Sequence, residues 1–152
     1  MTIQEQLPWD QTDDETLSYL KAIGVDYLTI NPIPPGVIEG EDLSGYWVDL
    51  KGRVESHGLE LRNVAATGWD DISLALPTRD EKIDAWCRLL SDMGEVGIPT
   101  LGYNFKPIGN FRTTSAIGRG GVRYSTFDYD EWSRKDHTVP EKRIDEPAIW
   151  KN

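Results

Sequence analysis

The sequence has little of what several functional classes need. A single cysteine, Cys87, excludes a disulfide framework and any site built on several cysteines. Two histidines, His57 and His137, leave no material for a histidine-rich metal centre. Apolar runs are only a few residues long, far short of the roughly 20 that cross a bilayer, so no membrane association is expected. The amino terminus lacks the cationic start and apolar stretch of a secretion signal. A reducing, cytoplasmic setting is therefore the expectation. Basic excess is absent as well: with 26 acidic against 16 basic residues the formal net charge is −10, which argues against binding nucleic acid.

What is present is enough for one globular domain. The 152 residues can bury a substantial core, and an aromatic content of 10 %, including six tryptophans, argues against disorder. The charge is uneven. Residues 1–76 carry 14 acids and 4 bases, whereas residues 77–152 carry 12 of each. Residues 106–127 hold Lys106, Arg112, Arg119 and Arg123 and no acid. Such a segment suits an anionic ligand, because a guanidinium presents a planar fork to carboxylate or phosphate. The alternative is that these cations pair with acids of the first half.

Three segments share one layout: an amphipathic helix, a glycine, then a β-rich run. The first helix is expected over 13–23, with Thr12 and Glu15 as a capping box and Leu17, Leu20 and Ile23 facing inward. Its strand follows at 25–31. The second is expected over 42–56, where Leu43, Trp47, Leu50 and Val54 share one helical face, with a strand at 59–66. The third is expected over 80–95, with Thr78 and Glu81 as a second box and Ile83, Trp86, Cys87 and Leu90 on one face. The last strand falls at 98–105. Gly24, Gly58 and Gly97 close the helices, and their spacing matches βα units with parallel strands and right-handed crossovers. A polar strand at 2–7 completes the series. Residues 1–106 are thus read as partial barrel units. Residues 107–152 are read as an irregular Arg- and Gly-rich loop and a polar extension of the same domain.

In parallel α/β architectures chemistry gathers at the carboxyl ends of the strands. Here that brings forward Asn31-Pro32, residues 65–69, and Tyr103, Asn104 and Lys106. Asn104 can donate and accept, or simply terminate its strand. Tyr103 offers a hydroxyl, or belongs to the core. Asp70 and Asp71 read as a solvated loop near the same rim. Asp128, Asp130 and Glu131 could hold a cation but fit better as the start of a short helix around 129–134. His57 is expected against the last carbonyls of the second helix, His137 in solvent, and Cys87 as a small buried hydrophobe. No histidine is placed to activate the serines and threonines of 113–126. No G-x-G-x-x-G or P-loop follows a strand, and the GRGG run at 118–121 reads as a flexible anion-contacting loop.

These residues resemble a family. LPTRD at 76–80, YNFKP at 103–107, FRT at 111–113, GRGGVRY at 118–124 and FDYDEW at 127–132, in this order, are similar to mannonate dehydratase. The resemblance implies the first half of a xylose-isomerase-like (β/α)8 barrel, with about four strands and three to four helices. It implies a lyase converting D-mannonate to 2-keto-3-deoxy-D-gluconate in hexuronate breakdown, with Mn2+ or another divalent metal. Tyr103, Asn104, Lys106, Arg112, Arg119 and Arg123 would bind the sugar acid. The family's metal ligands fall in the second half, so this chain alone is expected to bind no metal and to be inactive without that half. Its two open sheet edges and an expected apolar inner face imply a homo-oligomer or a complementary carboxy-terminal half as partner. The rival readings are a related sugar isomerase or epimerase, and a non-catalytic sugar-acid-binding or assembly module.

Overall fold

The computed structural model describes residues 1–107, 110–135 and 144–151; His137 lies outside them. Four strands form one sheet: β1 (Gln4–Leu7), β2 (Tyr27–Ile30), β3 (Glu60–Ala66) and β4 (Thr100–Tyr103). They lie in sequence order and every pair is parallel, with Leu7 opposite Ile30, Ile30 opposite Val64, and Val64 opposite Leu101. The crossovers are α1 (Asp14–Ala22), α3 (Ser44–Ser56) and α5 (Arg79–Val96). This is the α/β arrangement of a partial barrel. Two short helices were not legible in the sequence. For α2 (Pro35–Glu39), a proline at the first position presets the helical φ. In α4 (Asp70–Ser73), four residues are too few to display a period.

The core lies between the helices and one face of the sheet. Leu28, Ile30, Leu61 and Val64 point into it, met by Leu17 and Leu20 from α1, Trp47, Leu50 and Val54 from α3, and Ala85, Leu89 and Met93 from α5. Each large side chain buried there contributes about 1.5–3 kcal/mol. Gly24, Gly58 and Gly97 all take positive φ (93°, 73° and 78°), turning the chain out of each helix as expected.

Several local expectations are corrected. Thr12 does not cap α1; its hydroxyl donates to the Trp9 carbonyl, and Asp13 caps instead, accepting from the Thr16 N–H at 2.9 Å. That bond and the Thr16 hydroxyl hold the Asp13 carboxyl below its usual range. Thr78 caps nothing either, because its hydroxyl donates to Asp71 across the α4–α5 turn. Ile23 is exposed. On α5 the buried stripe is displaced: Ala85, Leu89 and Met93, at i, i+4 and i+8, face the core, while Ile83 and Leu90 are exposed. Cys87 goes with the exposed set and is not a buried hydrophobe.

The uncovered face of the sheet is polar, not apolar. Gln4 donates to Thr29 across β1 and β2. The register of β3 skips Arg62, so a bulge turns both Arg62 and Asn63 to this face. The Arg62 guanidinium lies 3.8 Å over the Tyr27 ring, and Asn63 shares the face with Ala65 and Gly102.

The described residues beyond β4 hold more regular structure than their composition implied. β5 (Ala116–Ile117) and β6 (Arg123–Tyr124) pair antiparallel across a tight turn at Arg119–Gly121, so the GRGG run is a hairpin tip. The short helix α6 (Tyr129–Ser133) begins where expected, its Glu131 N–H donating to Asp128. A last turn, α7 (Glu146–Ile149), is capped by Asp145.

Candidate functional site

The rim at the carboxyl ends of β3 and β4 carries two adjoining cavities. The larger, of about 390 Å3, is walled by Ala66, Trp69, Ile72, Trp86, Tyr103 and Phe105 and is mostly apolar. Its rings stand edge to face, Trp69 on Trp86 at 5.0 Å and Trp86 on Tyr103 at 5.9 Å, the geometry that ring quadrupoles favour. The smaller, of about 160 Å3, is lined by Thr67, Gly68, Trp69, Asp70, Asn104 and Lys106. Asn104 borders both.

Strand alternation explains the division. Tyr103 pairs in register with Ala66, and Ala66 is buried beneath the helices. The Tyr103 ring therefore leans to the helix side, against Trp86, and its role is in the apolar wall. Asn104 is one residue on, where the strand has ended, and the polar cavity opens beside it. Of the residues expected at the site, the structure brings Tyr103, Asn104 and Lys106 together. Arg112, Arg119 and Arg123 line neither cavity.

Those arginines belong to the hairpin. Arg112 donates to the Phe111 carbonyl at 3.0 Å and Arg123 to the Ser115 hydroxyl at 3.3 Å. All three are exposed, and none of them, nor Lys106, joins an ion pair among the described residues. The alternative of pairing with acids of the first half is not realised there. The hairpin is fixed to α6 instead by Glu131, which accepts from the Thr114 N–H and hydroxyl and from Lys135 Nζ at 2.7 Å. These partners, Lys135 first and then Thr114, hold the Glu131 carboxyl down at about 2. Phe111, Phe127 and Tyr129 surround Trp132 at ring distances of 5.9–6.0 Å.

The remaining titratable candidates stand apart from the rim. His57 follows α3, its Nδ1 2.9 Å from the Arg53 carbonyl, where it donates and satisfies a helix-end oxygen as expected. Among the described residues no three of His, Cys, Asp and Glu come together to hold a metal ion. The described residues by themselves therefore offer no ligand set for the divalent metal that the resemblance implies. No helix among them is long and apolar enough to cross a membrane.

Sequence reasoning missed the aromatic wall. Trp69 lies in the strand-end stretch 65–69 that the sequence brings forward, but nothing there marks it as part of an aromatic wall. Trp86 was assigned to a helix stripe, and no sequence signal says that its ring meets Tyr103.

Comparison with known proteins gives a consistent result. A family model described as D-mannonate dehydratase (UxuA) matches residues 4–148. Mannonate dehydratase 1 of Halalkalibacterium halodurans is 28 % identical over 132 residues, covering 81 % of this chain and 36 % of that protein. The mannonate dehydratase of Thermotoga maritima is 30 % identical over 82 residues, covering 53 % of this chain and 23 % of its own length. The crystal structure of mannonate dehydratase from Streptococcus suis serotype2 superposes with a TM-score of 0.71 at 23 % identity, over 99 % of this chain and 46 % of that one. The chain thus spans about a third of the Halalkalibacterium relative and about half of the solved structure.

Proposed function

The chain belongs to the D-mannonate dehydratase family, and we propose that it supplies the substrate-recognising part of a cytoplasmic lyase that converts D-mannonate to 2-keto-3-deoxy-D-gluconate. The observation that carries this reading is the acid-free cationic segment. Lys106 leads out of the strand-end cavity, and Arg112, Arg119 and Arg123 follow on and beside a braced hairpin, none of them in an ion pair among the described residues. A sugar acid brings a carboxylate that a guanidinium can hold in two parallel hydrogen bonds. Asn104 can donate to one hydroxyl of the sugar chain and accept from another.

The dehydration removes the proton beside the carboxylate and the hydroxyl on the next carbon as water. The resulting enol then shifts to the ketone. Negative charge develops on the carboxylate as that proton leaves, so a fixed cation there stabilises the transition state more than the ground state. The family chemistry also uses a divalent metal, manganese in the expectation above. The described residues offer it no ligand set. Binding and positioning are accordingly the roles given to this chain, and turnover requires a metal-bearing half.

Calorimetric titration tests the reading. D-mannonate is expected to bind, D-mannose at the same concentration is not, and the Arg112→Ala/Arg119→Ala double variant should weaken binding at least about tenfold. Unchanged affinity in that variant removes the carboxylate role. With manganese and D-mannonate the chain alone should form no keto acid, and appreciable turnover would show that it carries the whole reaction.

A further inference from the structure

We propose that Lys82 is a positioning residue for the sugar-acid site, holding through Ile38 the turn at 67–70 that walls the polar cavity. The proposal rests on the recognition reading above.

Lys82 heads the inward stripe of α5. It stands three residues before Ala85 and seven before Leu89, on the same helical face, and is half-buried. A lysine at such a position is uncommon unless its ammonium has a definite partner. Among the described residues Lys82 joins no ion pair. It donates instead to the Ile38 carbonyl at 2.7 Å. Six residues on, Arg88 donates to the Gly40 carbonyl at 3.2 Å.

Both acceptors stand at the carboxyl end of α2. Its five residues are too few to hold a helix by themselves, and its last carbonyls have no partner within it. Positive charge is the sign that such an end favours. Two cations from α5 therefore fasten α2 in place, with Val37 buried beneath it.

Ile38 carries the link onward. Its Cδ1 lies 3.5 Å from where a Cβ would stand on Gly68, ordinary van der Waals contact. Gly68 takes φ of 94°, a conformation that leaves this turn to glycine. Thr67, Gly68, Trp69 and Asp70 line the polar cavity together with Asn104 and Lys106. The same turn is held a second time, because the Trp69 ring packs edge to face on Trp86, four residues after Lys82 on α5. One helix thus grips the turn directly through Trp86 and by way of α2 through Lys82. All of these segments lie between β2 and β4 in the chain, so the link does not depend on what pairs with the outer strands. Without the Lys82 bond, α2 and Ile38 are free to move off Gly68. The cavity wall then has to be ordered by the ligand, at a cost in affinity.

Titration calorimetry and amide exchange on this chain test the proposal. Lys82→Met keeps the stem and removes the ammonium. It should weaken D-mannonate about three- to thirtyfold, although Lys82 lines neither rim cavity. Amides of 67–70 should exchange faster, while those of α1 stay as in the parent. Lys82→Arg, which can still donate to the Ile38 carbonyl, should restore both. Ile38→Ala should reproduce the loss. The double variant Lys82→Met/Ile38→Ala should bind no more weakly than the weaker single, as a shared route requires. Ile38→Ala also carries the test if Lys82→Met does not fold. A lysine that serves stability alone would lower the urea midpoint and leave the affinity of the folded chain unchanged, and that result overturns the proposal. So do unchanged exchange at 67–70 and losses that simply add. If the parent does not bind D-mannonate, the recognition reading fails, and exchange alone upholds or overturns the link from Lys82 to the turn.

Discussion

Thr114 gives both its amide proton and its hydroxyl to the carboxylate of Glu131, at 3.2 and 2.8 Å. The two residues are 17 positions apart, and this bond with Lys135 ties the arginine-bearing hairpin to α6. A segment that composition alone would leave irregular is given a fixed shape by one carboxylate.

That carboxylate has a consequence for acid stability. Its folded pKa, about 2, lies below the ordinary 4.5, so its support is complete above about 4.5 and is lost as pH falls toward 2. Amide exchange at Thr114 and fluorescence of Trp132 should both loosen through that window. In Glu131→Gln the hairpin should be looser already at neutral pH and the window should be flat. An unchanged pH profile in the variant would assign the acid response to other carboxylates.

The displaced stripe on α5 separates two adjacent leucines. Leu89 is 2 % exposed in the core, whereas Leu90 is on the outer face. Leu89→Ala should cost about 2–5 kcal/mol, transfer and cavity together. Leu90→Ala should stay within about 0.5 kcal/mol. Both are measured by urea unfolding. Equal losses would restore the stripe read from the sequence.

Two glycines near the end of α5 should respond with opposite signs. Neither has an atom within 4 Å of where a Cβ would stand. Gly94 is inside the helix, so Gly94→Ala should stabilise by about 0.5–1 kcal/mol through lost freedom of the unfolded chain. Gly97 has φ of 78°, and Gly97→Ala should destabilise by about 1–2 kcal/mol because Cβ crowds the following carbonyl there. Thermal unfolding of the pair distinguishes backbone conformation from space as the reason for glycine.

What the sequence displayed was period and punctuation. Trp47, Leu50 and Val54 at helical spacing, and glycines at 24, 58 and 97, were enough to place three helices and four parallel strands. What it hid was competition between neighbours. Thr12 and Asp13 could both cap α1, and only the approach of Trp9 decides which one does. Ile83 and Leu90 are more hydrophobic than Ala85, yet Ala85 is the one that faces the core. The bulge at Arg62 is invisible because it depends on β2 and β3 together, and it adds Arg62 to a face that Gln4 and Thr29 already make polar. At the rim, Asn104 and Lys106 were legible from the strand-end rule, whereas the Trp69–Trp86–Tyr103 wall joins three elements far apart in the chain.

That wall sharpens the last prediction, which sets Tyr103 against Asn104. Both were expected to touch substrate, but they leave β4 on different sides. The Tyr103 ring packs edge-on to Trp86 in the apolar cavity, while Asn104 borders the polar one with Lys106. If the sugar acid sits in the polar cavity, the Tyr103 hydroxyl is dispensable and Tyr103→Phe should bind D-mannonate as the parent does. Asn104→Ala should lose about 0.5–1.5 kcal/mol, the range for a hydrogen bond to a neutral hydroxyl, which is roughly two- to tenfold in affinity. Tyr103→Ala should instead lower the urea midpoint, because it strips one ring from the wall. Titration calorimetry and unfolding on the same three variants separate the roles. Weakened binding in Tyr103→Phe with Asn104→Ala unaffected would move the ligand to the apolar cavity, and with it the choice of residues that the substrate meets first.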